Sequence, residues 1–321
     1  MKRNLVLGVL LVALLILPRL ASPYYTTLVL PAFAYGIALL GLNLLFGYTG
    51  LLSFGHAMFV GIGAYATAVM TSKLGIRSLE VVLLTAGISA TAIAIPVGLL
   101  SVRYVRIFFG MLTLAFGMLF HSFLFKFYDI TGGDSGIRVV RPTLLGMEHA
   151  ELDKTSYLIG PYYYYCLVLL IAAGFVMWRI VHSPFGLHLR ALRENPRKAE
   201  YLGVSVHRFR LGAFLISAFY CGIGGALLAI PTGLADPELA YWTHSGHMIF
   251  MMLLGGFANF FGPILGAFSF ILLQDQLMSA TQYWRFFMGV VLLLMVILFP
   301  RGLMGLATDL SARLFSRKSG S

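Results

Sequence analysis

The sequence predicts an all-α fold, a polytopic membrane helical bundle of about ten transmembrane segments with broken or re-entrant glycine-rich elements. Three observations carry that expectation. The mean hydropathy is +0.88, and 59% of the 321 residues are hydrophobic against 11% charged, a balance no soluble domain of this size supports. Several apolar runs approach 20 residues, the length that crosses hydrocarbon as a helix. The runs do not alternate as barrel strands of about ten residues do, and a helix satisfies its backbone polar groups within the segment. The whole chain, 1–321, reads as a single transmembrane domain.

In order, the apolar segments fall at 5–21, 27–46, 57–72, 79–100, 105–125, 161–181, 211–232, 245–257, 263–280 and 284–300. The first lies within "MKRNLVLGVLLVALLILPRLASPYY", whose basic start and apolar core are those of a secretory signal. A cut after Ala21 would put Arg19 three residues before the bond, and a cut after Ser22 would put Leu20 there, where a small residue is wanted. The segment therefore reads as an uncleaved first helix. Cys166 and Cys221 fall in the sixth and seventh segments and read as small apolar packing residues. The eighth and ninth segments are short; they read as two spans, as one broken helix, or as a re-entrant pair.

Charge supports ten spans. With the N-terminus inside, 15 Lys and Arg fall on the cytoplasmic side and 8 outside, while the acidic residues divide 3 and 9. Nine spans would expose Arg313, Arg317 and Lys318 outside. The net charge of +11 is thus mostly a topology signal and calls for no nucleic acid. This arrangement gives an inner-membrane protein with both termini cytoplasmic, an external loop at 126–160, a cytoplasmic loop at 182–210 and a cytoplasmic tail at 301–321.

The 182–210 loop concentrates charge, since residues 183–210 hold six of the 23 Lys and Arg. Its local chemistry predicts two short helices. Ser183 and Pro184 suit N-cap and N1 of the first, Asn195 and Pro196 repeat the pair, and Gly203 suits the stop of the second. Leu189 and Leu192 share a face of the first helix, and Ala199, Tyr201 and Leu202 make an apolar side on the second, among Arg197, Lys198 and Glu200. Such an amphipathic knob suits a groove in a partner protein, or else lies as a solvated basic loop against anionic lipid headgroups. Arg210 reads as a rim charge at the membrane edge.

Two glycine-rich blocks punctuate the spans. "GYTGLLSFGHAMFVGIGAY" places Gly47, Gly50, Gly55, Gly61 and Gly63 close together. The nearby polar groups Asn43, Tyr48, Thr49, Ser53 and His56 are candidates for lining a translocation pathway along a broken or re-entrant segment. Plain helix packing is the competing reading for the glycines, and His56 reads as a hydrogen-bonded structural histidine. "GGFANFFGPILGA" ends one helix and begins another through Gly255, Gly256, Gly262, Pro263 and Gly266. Outside, "TGGDSGIRVVRP" offers Thr131, Gly132, Gly133, Asp134 and Gly136 as a turn whose free N–H groups suit a small anion nest.

Nothing in the sequence powers transport. The acidic residues sit in loops or near helix ends, so a proton or cation relay within the membrane has no carrier. The Gly-Lys dipeptide of a phosphate-cradling loop never occurs. No catalytic constellation, metal-ligand spacing or cofactor motif is present, which leaves a membrane enzyme without support and points to energy supplied by other subunits.

The segment "RALRENPRKAEYLGVSVHRFRLGAFLISAFYCGIGGALLA", with "GLNLLFGYTGLLSFGHAMFVGIGAYATA", "TGGDSGI" and "LLGGFANFFGPILGA" in the same order along the chain, resembles the branched-chain amino acid ABC transporter permeases of LivM type. That resemblance implies a permease subunit of an ATP-driven importer working with two cytoplasmic ABC ATPases, a second homologous permease and a periplasmic or extracellular solute-binding protein, and carrying a small polar solute across the lipid. It implies that the 182–210 loop is the coupling loop seated in the ATPase groove, with Arg190, Arg193, Glu194, Asn195, Glu200, Tyr201, Leu202 and Gly203 as contact candidates. "KAEYLG" stands for the family's Glu-Ala-Ala element, with Glu200 displaced from the usual place. It also makes Thr131 to Gly136 a candidate external gate or binding-protein contact. Branched-chain or related amino acids are the expected cargo; urea or a short amide is the alternative, and a stand-alone channel or secondary carrier is a further one.

Overall fold

Ser22 followed by Pro23 starts the helix on which the bundle is built, because proline at the first helical position sacrifices an N–H that has no intrahelical partner. The structure, a computed structural model, describes residues 12–104, 107–148, 151–299 and 302–305. Expectations for residues 1–11 and for the tail beyond 305 lie outside the described residues.

In chain order the helices are α1 (12–20), α2 (Pro23–Asn43), α3 (His56–Ala68), α4 (Leu79–Ser101), α5 (Ile107–Lys126) and the short α6 (Tyr128–Thr131). There follow α7 (Lys154–Tyr157), α8 (Tyr163–Val181), α9 (Pro184–Glu194), α10 (Pro196–Tyr201), α11 (Val206–Thr232), α12 (Trp242–Gly255), α13 (Gly262–Ala280) and α14 (Trp284–Leu298). Single π-helical turns extend α2 through Leu44–Tyr48 and α3 through Val69–Lys73, and another joins α7 to α8. Two-residue strands, β1 (Ile137–Arg138) and β2 (Leu234–Ala235), pair antiparallel and tie two loops together. An all-α membrane bundle is thus observed.

The expected count of about ten spans is not confirmed. Among the described residues, six helices are long and apolar enough to cross a membrane: Pro23–Tyr48, Leu79–Ser101, Ile107–Lys126, Lys154–Val181, Val206–Thr232 and Trp284–Gly305. Among the described residues, helices also occupy the remaining expected segments; α3 has 13 residues before its π-helical turn and α12 has 14.

α11 occupies the centre, with α2, α3 and α4 around it. Small residues set these crossings, since backbones approach closely only where side chains are absent. A Cβ at Gly63 would run into the Gly222 backbone, and one at Gly225 into the carbonyl of Val60. Cβ atoms at Gly224 and Gly222 would come within 2.8 Å of Ala38 Cβ and 2.7 Å of Ala90 Cβ. Cys166 and Cys221 are buried and free, and the Cys221 thiol lies 3.6 Å from the Ala38 carbonyl.

α3 and α12 begin inside this framework. The Ala57 N–H donates to Ser245 Oγ at 2.8 Å, so the N-termini of the two helices abut. The adjacent His56 reaches Ser217, eleven residues and about 16 Å along α11 from its start. From this level α3 runs to one end of the bundle, where Lys73 donates to the Ile130 carbonyl at 2.8 Å. α12 runs to the other end, where Gly256 packs against Gly302. Two half-length helices therefore leave a common interior level in opposite directions, and the broken elements expected from the glycine blocks are present.

Candidate functional site: the amphipathic knob and the interior polar groups

At the end of the bundle shared by the 47–50 turn and the α12–α13 turn, α9 and α10 fold as their sequence predicts. Pro184 and Pro196 occupy first-turn positions, and Asn195 Oδ1 accepts from the Lys198 N–H at 3.0 Å. Ser183 starts α9 without capping it, its hydroxyl donating instead to the Ile180 carbonyl at 2.7 Å. Gly203 lies just past α10 at φ +86°, with no atom within 4 Å of the point where a Cβ would sit, so backbone conformation and not crowding calls for glycine there.

The two faces of this knob differ. Leu189 and Leu192 are buried against the bundle, Ala199 is buried too, and Phe209 stacks with Phe185 and His188 to fix α9 on α11. Arg193 donates to the Gly47 carbonyl and lies 5.6 Å from the Phe257 ring, while Arg190 lies 5.2 Å from the Tyr48 ring. Gly50, at φ +78°, sits against the Arg193 side chain. The outer face displays Tyr201 at 89% and Leu202 at 85% exposure, beside the exposed Glu194 and Glu200. The knob is thus clamped to the neighbouring turns and presents two large apolar side chains outward.

Arg210 departs from its expected place. α11 starts at Val206, five residues before the expected span, so Arg210 is a helical residue facing inward and only 8% exposed. Among the described residues its Nε has no hydrogen-bond partner. It is not a rim charge.

The residues offered as a pathway lining sit in the interior. Asn43, Thr49, Ser53 and His56 are all buried, and Tyr48 lies half-buried beneath Arg190. Ser53 Oγ and His56 Nδ1 are 2.7 Å apart, and His56 Nε2 and Ser217 Oγ are 2.8 Å apart. One ring nitrogen donates and the other accepts, and each hydroxyl turns to match. Rings of Phe59 and Phe214 meet the imidazole edge to face. Thr49 Oγ1 donates to the Leu44 carbonyl at 2.9 Å, and Asn43 Oδ1 has no partner among the described residues. The arrangement fixes the N-terminus of α3 to α11, in keeping with a structural histidine. His56→Leu leaves two buried hydroxyls without their partner and is expected to cost about 1–3 kcal/mol. Thermal unfolding of the purified protein in detergent should show a lowered midpoint, with part of the loss recovered in His56→Leu/Ser217→Ala.

At the opposite end, Gly132, Gly133 and Gly136 have φ of +75°, +56° and +64°, so the turn needs glycine. Four of its N–H groups are not free for an anion. Those of Gly132, Ser135 and Gly136 bond to carbonyls of Tyr128, Gly132 and Gly133, and that of Gly133 to the buried Thr131 hydroxyl at 3.3 Å. The anion nest is therefore not formed. Asp134 lies exposed at the tip. A cavity of about 390 Å³ is lined by Arg77, Arg141, Lys154, Glu148 and Asp153.

Sequence reasoning overlooked a second polar group. Tyr35 Oη lies 3.2 Å from His244 Nε2, and the His244 and His247 rings are 6.4 Å apart. Their only sequence signal is the spacing of two histidines three residues apart in an apolar helix. Among the described residues, no three His, Cys, Asp or Glu side chains are grouped to hold a metal ion.

A glycine-packed membrane bundle with an anchored amphipathic knob at one end defines the class: the chain belongs to the family described as branched-chain amino acid transport system, permease component, which it matches over residues 24–296. It is a multi-pass membrane protein and the permease component of an ABC transporter. It is 30% identical over 320 residues to the high-affinity branched-chain amino acid transport system permease protein LivM of Escherichia coli K12, covering 94% of this chain and 75% of that one. The permease LivH of the same organism is 22% identical, over 84% of this chain and 91% of its own length. A guanosine ABC transporter permease, NupQ of Bacillus subtilis, shares 37% identity over 67 residues, 21% of each chain. No solved structure matches.

Proposed function

We propose that the chain carries branched-chain or related amino acids inward as the membrane-spanning subunit of an ATP-driven, binding-protein-dependent importer. The observation that carries this reading is the knob at 183–203, whose inner face is clamped by Arg190 and Arg193 and whose outer face exposes Tyr201 and Leu202. In this reading the knob faces the cytoplasm and sits in the groove of an ABC ATPase, one such ATPase serving each of two permeases. Closure of the ATPases moves α9, and α9 moves the 47–50 turn and α11 to which it is bound.

A second, homologous permease completes the membrane part; the existence in one organism of both LivM and LivH as relatives of this chain supports a pair of paralogues. The opposite end, with the Thr131 to Gly136 turn and the lobe held by β1 and β2, faces outside and receives the solute-binding protein. The protein lies in the inner membrane with both termini cytoplasmic. Similarity to the guanosine permease is confined to about a fifth of the chain and leaves the amino acid reading in place.

Reconstitution tests this function. Proteoliposomes holding both permeases and the ATPases, supplied with binding protein, should accumulate radiolabelled leucine only when ATP reaches the ATPases. Leucine uptake by this chain alone under an imposed proton or sodium gradient would sink the reading in favour of a secondary carrier.

A further inference from the structure

One polar face is used neither by the knob nor by the interior histidine. α2 is the most buried of the six long helices, with 83% of its apolar window inside, yet it keeps a half-exposed strip at Thr27, Pro31 and Tyr35. These residues are four apart and lie along one side of the helix. Tyr35 is twelve residues from the helix start, about 18 Å along its axis and so at membrane depth. Its hydroxyl meets His244 in the first turn of α12, and the adjacent His247 lies 6.0 Å from the Phe270 ring of α13. All three of Tyr35, His244 and His247 are half-exposed. Arg285, at the start of α14, lies within electrostatic reach of His247. Toward the start of α2, Tyr24 donates to Asp275 of α13.

Hydrocarbon does not suit such a face. Hydroxyls and imidazoles keep donor and acceptor capacity that one mutual hydrogen bond does not exhaust, and ionisable groups within spans persist where they meet water or protein. The surfaces that do suit lipid look different: α5 exposes Leu119 at 66% and α14 exposes Leu293 at 60%.

We propose that Tyr35, His244 and His247 form a solute-contacting wall of the translocation pathway, binding the carboxylate of a small zwitterionic solute in transit. The proposal rests on the amino acid importer reading. The tyrosine O–H and imidazole N–H groups donate to the carboxylate oxygens. The positive end of the α12 dipole and Arg285 add favourable potential. Neutral donors hold a carboxylate without trapping it, as a site of passage requires.

The test uses the complete reconstituted transporter in a Cys166→Ala/Cys221→Ala background. A charged, membrane-impermeant thiol reagent should label a His247→Cys variant and spare a Leu119→Cys variant, and excess leucine with binding protein should slow the labelling. Loss of a hydrogen bond to a charged group corresponds to about a tenfold effect or more, so His244→Ala/His247→Ala should lower leucine uptake per ATP hydrolysed by about that factor. Binding-protein-stimulated ATP hydrolysis should continue, which a folding defect would not allow. The proposal falls if the His247→Cys variant is as inert as Leu119→Cys, or if uptake per ATP is unchanged in the double variant. Absence of leucine uptake in the unmodified transporter would strike the substrate reading instead, and the labelling comparison would still decide whether this face meets water.

Discussion

Leu202→Asp is expected to abolish ATP-driven uptake and release the ATPases while the chain still inserts and folds. Leu202 is 85% exposed and supports nothing within the bundle, so a carboxylate there is harmless to the subunit alone. In a desolvated groove the same carboxylate is an unpaired buried charge, costing about 3–5 kcal/mol. By the relation of ten per 1.4 kcal/mol, that weakens association by about a hundredfold or more. Affinity purification of the tagged permease should recover the ATPase with the unmodified chain and lose it with the variant, at equal membrane levels of both. Recovery of ATPase and uptake at unmodified levels would leave the stretch a solvated loop against lipid.

Gly63→Val has a comparably large effect by a different route. The added Cβ points at the backbone carbonyl of Gly222 on α11, and neither main chain has a rotamer by which to move aside. Overpacking where side chains can shift costs about 1–3 kcal/mol; a clash of backbone with Cβ at the central crossing belongs at or beyond the top of that range. The α3–α11 crossing must open, and the His56–Ser217 contact is lost with it. The expected outcome is little folded protein in detergent, seen as an aggregated or early-eluting species by size exclusion. A Gly203→Val variant is the informative contrast, since its strain is confined to an open turn with no neighbouring atoms. A Gly63→Val protein as stable as the unmodified chain would contradict the role of the glycine blocks in packing.

Much of this was legible in the sequence because local chemistry decides it. Two Ser/Asn-Pro starts and a glycine stop produced α9 and α10 with little help from tertiary structure, and Gly203 has the positive φ its position implied. The long apolar runs became long helices. Where tertiary packing decides, the pattern misled. α3 and α12 are as apolar as a span, but both begin inside the bundle, each N-terminus against the other, and hydropathy does not register that. Arg210 looked like a loop charge because α11 begins a turn earlier than its apolar run, and the Thr131 to Gly136 turn commits its N–H groups to partners no spacing rule supplies. Polar residues near glycines drew attention to His56, which the structure seals; Tyr35 and His244 are 209 positions apart, and only the fold brings them together.

In the proposed function, docking of the Tyr201 and Leu202 face on an ATPase couples this bundle to an energy source. Site-specific photo-crosslinking in the assembled transporter reads that contact directly, with p-benzoylphenylalanine placed at Tyr201 and, as a comparison, at Asp134 on the opposite end. A covalent permease–ATPase adduct is expected from position 201 and none from position 134. An adduct from position 134, or only lipid adducts from position 201, would contradict the docking.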